Sequence, residues 1–97
     1  MDLYVIRRRG VWADQKEAEA TSTVSARVCE EMSDRLRWIR SYVVSEADGW
    51  VGSVCLCEAS DPEAIREHGR RIEAPADEMQ VVTATAIIRD DPQPGSR

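Results

Sequence analysis

The chain has 97 residues, 42% of them hydrophobic, and its 13 Lys and Arg against 18 Asp and Glu give a net charge of −5. That length fits one domain, and a chain of this size hides only about 60–65% of its unfolded surface, so one modest core is expected, with a gain from any partner surface. The acidic balance argues against nucleic acid as a partner, and the lack of any run of about 18 apolar residues argues against a membrane span.

The opening Asp2-Leu3-Tyr4-Val5-Ile6 has neither a basic leader nor a cleavage site, which predicts a cytoplasmic protein. Leu3 to Arg8 alternates apolar and branched residues and predicts a first strand, ended by Gly10. The one basic run, Arg7-Arg8-Arg9, could contact an anion or nucleic acid, but the favoured reading is a solvated strand end balanced by nearby acids. Asp14-Gln15-Lys16-Glu17 then has the form of a capping box. Behind it Val24, Val28, Met32 and Leu36 recur every four residues and, with Ala18, Thr21, Ser25 and Cys29, predict an amphipathic helix laid on a sheet.

Trp38 to Ser45 and Trp50 to Glu58 predict a second and a third strand, joined by Asp48-Gly49, a strong tight-turn pair. A two-residue turn there sets Tyr42 opposite Cys55, Arg40 opposite Cys57 and Val43 opposite Val54. That register sends Ile39, Val43, Val54 and Leu56 toward the helices. It leaves Trp38, Arg40, Tyr42, Val44, Ser53, Cys55 and Cys57 on the open face.

Asp61 suits a helix N-cap and Pro62 the first helical position, with Ala64, Ile65, His68 and Ile72 on the inner side. Met79 to Ile88, rich in Val, Thr and Ile, predicts a last strand, and residues 89–97 predict a disordered tail. Strand, helix, hairpin, helix, strand is the split βαβ pattern. It predicts an α+β, ferredoxin-like domain over residues 1–88, a four-stranded antiparallel sheet with two helices on one face. An open face bearing Trp38, Tyr42 and Cys55 should be covered, and a second copy is the simplest cover.

Three constellations could carry chemistry. Cys55, Cys57 and His68 are soft donors suited to nickel, copper or zinc, although the predicted register puts His68 on the helix side and both thiols on the other. Trp38, Arg40 and Tyr42 could line a small-molecule pocket on the open face. A Cys29–His68 couple is conceivable because their helices share a face, but no phosphate loop, HExxH or G-x-S-x-G is present and no catalytic residue is assigned.

The blocks Trp38-Ile39-Arg40-Ser41-Tyr42-Val43, Cys55-Leu56-Cys57-Glu58-Ala59 and Asp61-Pro62-Glu63-Ala64-Ile65-Arg66-Glu67-His68 resemble, in that order, a family of small bacterial domains known as nickel-binding proteins. The resemblance implies a ferredoxin-like fold, a homodimer with an α/β-barrel-like interior and nickel in at least some members. Cys55 and His68 match the family pattern and are the expected ligands. Cys57 stands where the family often has an aromatic and is auxiliary. Ser60 and Glu73-Ala74-Pro75 also depart from the pattern. The expectation is a non-enzymatic homodimer that sequesters or senses a divalent ion, nickel first. The alternative is a dimeric barrel that binds a small molecule or acts like a cofactor-free oxygenase through Trp38, Arg40 and Tyr42.

Overall fold

The computed structural model describes residues 1–76 and 78–92. Strand β1 spans Asp2–Trp12, helix α1 Gln15–Glu31, β2 Leu36–Ser45, β3 Val51–Ala59, α2 Pro62–Arg71 and β4 Glu78–Val81. The strands form one antiparallel sheet in the order β2-β3-β1-β4, and this α+β arrangement is consistent with a ferredoxin-like fold. No helix among the described residues is long and apolar enough to cross a membrane.

Both helices start where local chemistry says they should. The Asp14 carboxylate accepts from the Glu17 N–H at 2.9 Å, and Glu17 reaches back to accept from the Ala13 N–H at 3.3 Å. Asp61 accepts from the Ala64 N–H at 2.9 Å, with Pro62 contributing no orphan donor. At the other end of α2, His68, Arg70 and Arg71 sit in the last turn, where positive charge suits the helix dipole. Helix α1 ends before Met32 and Leu36 opens β2, so the four-residue spacing seen in the sequence overruns the helix by a turn.

β1 carries the core. Its alternate residues Tyr4, Ile6 and Arg8 are buried beneath the helices, beside Ser53, Cys55, Cys57 and Ala59 of β3. Ile6, Leu36 and Ile65 are the largest fully buried side chains. The strand does not stop at Gly10, which adopts φ 55° inside an irregularity between Arg8 and Trp12. That kink lets Trp12 rejoin the sheet and donate its indole N–H to the Thr21 hydroxyl at 2.8 Å.

The hairpin corrects the predicted register. The turn holds three residues, Ala47, Asp48 and Gly49, with Asp48 at φ 72° and Gly49 at φ 80°, and the Glu46 N–H donates to the Trp50 carbonyl at 2.8 Å. Tyr42 therefore pairs with Val54, Ser41 with Cys55 and Val43 with Ser53. A further irregularity at Ile39 sets Arg40 opposite Leu56 but Trp38 opposite Cys57. Because side chains alternate, one residue of slip turns a strand over. Cys55, Cys57, Ser53 and Trp38 thus lie on the helix side, Val54 and Leu56 on the open side, and Ile39 is half exposed at the irregularity.

The last strand is also shorter than predicted. Tyr4 pairs with Val81, and the Val82 N–H still reaches the Leu3 carbonyl at 2.8 Å. Two residues further along, β1 has ended, so the chain after Val82 has no strand to pair with. It runs from the β4 edge to the β2 edge, where the Asp91 carboxylate accepts from Tyr42 at 2.6 Å and from Arg40 at 3.0 Å. Of the predicted tail, residues 93–97 lie outside the described residues.

Candidate functional site

A cavity of about 40 Å³ lies between the sheet and the helices. Its buried end is formed by Arg8 of β1, Ser53, Cys55 and Cys57 of β3, Ser25 of α1 and His68 of α2, and its half-exposed end by Trp38, Val43, Thr21 and Ser22. Each buried group arrives by simple periodicity. Arg8 shares strand parity with Ile6, Cys57 with Cys55, and His68 follows Ala64 and Ile65 on the inner stripe of α2.

His68 lies against two side chains of α1. Its Nε2 is 3.0 Å from the Ser25 hydroxyl and 3.5 Å from Cys29 Sγ. Burial, with the Arg8 guanidinium second, pushes the imidazole down to about 4, so it is neutral at physiological pH. Burial acts oppositely on thiols: Cys29 is raised, and Cys57 is pushed up to about 12 and stays protonated. Cys55 receives a hydrogen bond from the Ser41 hydroxyl at 3.0 Å and lies 3.8 Å from Arg8 Nη1. All three cysteines are free and buried.

The structure therefore brings Cys55, Cys57 and His68 to one cavity, which the predicted register had divided between two faces. It separates the other trio. Trp38 lines the cavity and donates its indole N–H to Ser41 at 2.6 Å, while Arg40 and Tyr42 lie on the opposite face in contact with Asp91. Tyr42, foremost, and then Asp91 raise the pKa of Arg40. The sequence placed none of Arg8, Ser25 and Ser53 in a cavity with His68. The signal for Arg8 was present: within Arg7-Arg8-Arg9 only the middle residue has the parity of Ile6. Its neighbours do pair with acids on the open side, Arg7 with Glu46 at 2.6 Å and Arg9 with Glu78 at 3.1 Å.

Soft donors are abundant here, but their arrangement is incomplete. Among the described residues no group of three or more His, Cys, Asp or Glu side chains is gathered closely enough to hold a metal ion. His68, which lines the cavity, contacts one other such donor, Cys29, whose side chain packs behind it outside the cavity lining.

A four-stranded antiparallel sheet backed by two helices, with a cavity of polar and sulfur-bearing side chains between them that opens past Trp38 and Val43, defines a small α+β domain with a candidate binding site. The sequence pattern of the family described as "Nickel responsive protein SCO4226-like" matches residues 4–82, and the chain belongs to that family. SCO4226 from Streptomyces coelicolor A3(2), known from its crystal structure, is similar in fold with a TM-score of 0.68 at 18% identity, over 87% of this chain and 99% of that one. No curated protein matches the chain.

Proposed function

We propose that this protein is a non-enzymatic binding protein of a nickel response, which takes up a divalent transition ion in the compartment between its sheet and its helices and works as a homodimer. The observation that carries the metal reading is the Cys29–His68 contact. A thiolate sulfur at about 2.3 Å and an imidazole nitrogen at about 2.0–2.1 Å from one tetrahedral ion are themselves separated by roughly 3.5 Å, and these two atoms are 3.5 Å apart before any ion is present. His68 is already in the neutral form that ligates. Cys55 and Cys57 line the cavity that His68 also lines, with Cys29 behind it, and are the candidates to complete the donor set. Thiols must lose their protons to bind, so uptake releases protons.

The dimer reading rests on the open face. Leu3, Val5, Val54 and Leu56 are only half covered there, and Ile39 and Tyr42 are exposed beside them. A second copy seated on this stripe would be a symmetric pairing of the commonest kind. Titration calorimetry with nickel on the reduced, tag-free protein tests the first reading. Saturable binding is expected, lost in Cys29→Ala and in His68→Ala. Background heat, or binding unchanged in both variants, would reject it. Sedimentation equilibrium tests the second: a dimer that Leu56→Glu converts to monomer is expected, and a monomeric wild type would reject it.

A further inference from the structure

Arg8 is 3% exposed and its charge has no counter-ion among the described residues. Its Nε donates to the Ala74 carbonyl at 2.8 Å and its Nη1 faces Cys55 Sγ, a weak acceptor, at 3.8 Å. Its Nη2 is buried with no hydrogen-bond partner among the described residues. The cavity that Arg8 lines contains no Asp or Glu. A buried guanidinium left without an anion is strongly destabilising, and protein interiors seldom leave one so.

What the cavity offers beside it is hydrogen-bond donation. Ser53, 3% exposed, accepts from the Cys55 thiol at 3.5 Å, which leaves its own hydroxyl hydrogen without an assigned acceptor. Ser25 presents a second hydroxyl against His68. Trp12 and Trp38 wall the space. One water needs about 10–15 Å³ of such a space, so about 40 Å³ holds roughly three waters or one ion of three or four heavy atoms. A planar oxyanion is the shape that a guanidinium edge matches best.

We propose that the sheet–helix cavity binds a small planar monoanion, a short carboxylate or an oxyanion of similar size, held by Arg8 Nη2 and the Ser53 hydroxyl. The site belongs to the metal-free protein and stands whether or not nickel enters the same compartment. Its anion would also neutralise the one positive charge facing the thiols, which favours subsequent cation uptake.

The test uses the reduced, metal-free chain at constant ionic strength, titrated with formate, acetate, benzoate and chloride. Chemical shifts of the Arg8 Nε–H and of the Trp12 and Trp38 indole N–H groups are followed by nitrogen–proton NMR. Formate and acetate are expected to produce saturating shifts at all three groups. Benzoate, whose ring would have to project past Trp38 and Val43 at the open end, is expected to bind at least tenfold more weakly than acetate, and chloride to produce only small linear shifts. Arg8→Gln should weaken acetate at least tenfold, and Ser53→Ala by a smaller factor. Shifts that never saturate with formate or acetate would overturn the proposal, as would Arg8→Gln binding acetate within twofold of wild type. The carboxylate size series needs no variant, so it decides the matter even if Arg8→Gln does not fold. A failed nickel titration would leave this result untouched.

Discussion

The two faces of the sheet handle charge in opposite ways. On the open face the cations of β1 meet acids: Arg7 binds Glu46 and Arg9 binds Glu78, and each arginine holds its partner's carboxylate below the usual range. On the covered face Arg8 meets thiols, hydroxyls and a neutral imidazole, and no acid. An exposed pair such as Arg9–Glu78 is replaceable and adds little. An uncompensated buried cation opposes folding, so its presence is better explained by what it binds than by what it stabilises.

The contrast can be broken most directly at adjacent positions of β1. Ile6, 1% exposed, and Val5, half-buried, point to opposite faces of the same strand. Ile6→Ala should cost about 2–5 kcal/mol, because transfer and cavity penalties add. Val5→Ala should cost about 1 kcal/mol, because less apolar area is lost and water can fill the gap. Urea unfolding at fixed protein concentration measures both. Equal losses would mean that the two faces are equally dry in solution.

Acid sharpens the same comparison. The unfolded chain protonates its histidine near 6.5, whereas native His68 resists until about 4. Between those values the unfolded state binds more protons, so stability falls as pH drops through that window and is unaffected above it. The full loss is on the order of 3 kcal/mol. Urea midpoints of the metal-free protein should therefore fall more steeply from about pH 7 to pH 4 than those of His68→Gln. Parallel curves would place His68 in contact with water or with a compensating charge.

What could be read from the sequence was what depends on neighbours in the chain. Asp14 with Glu17, and Asp61 with Pro62, announce helix starts through contacts three residues long, and both starts are where they announce. The element order followed from them. The site did not, because face assignment in a strand depends on turn length, and Asp48-Gly49 is equally compatible with a loop one residue longer. The three-residue turn moved Cys55 and Cys57 to the side of His68, and the irregularity at Ile39 brought Trp38 there with them. The end of the last strand was hidden for a different reason. Residues 82–88 keep a strand-like composition, but a strand needs a neighbour, and β1 begins at Asp2. Gly52 shows a constraint of the same non-local kind: a Cβ there would fall on the Arg8 carbonyl and the Glu46 carboxylate, neither of which its sequence surroundings reveal.

The smallest expected effect concerns the open face alone. Arg9 and Glu78 are 60% and 54% exposed as side chains, whereas Arg7 and Glu46 are 17% and 21% exposed. Arg7 is further anchored, its Nη1 donating to the Ser53 carbonyl at 3.1 Å. Glu78→Gln should leave the urea midpoint within fitting error of wild type, in low salt and in high. Glu46→Gln should lower it measurably, since it strands a partly buried guanidinium at the hairpin end of the sheet. If the two variants behave alike, the hairpin end is as wet as the β4 edge. Val44 and Val54, which share that end of the open face, would then need no covering copy, and the case for a dimer built on this face would weaken.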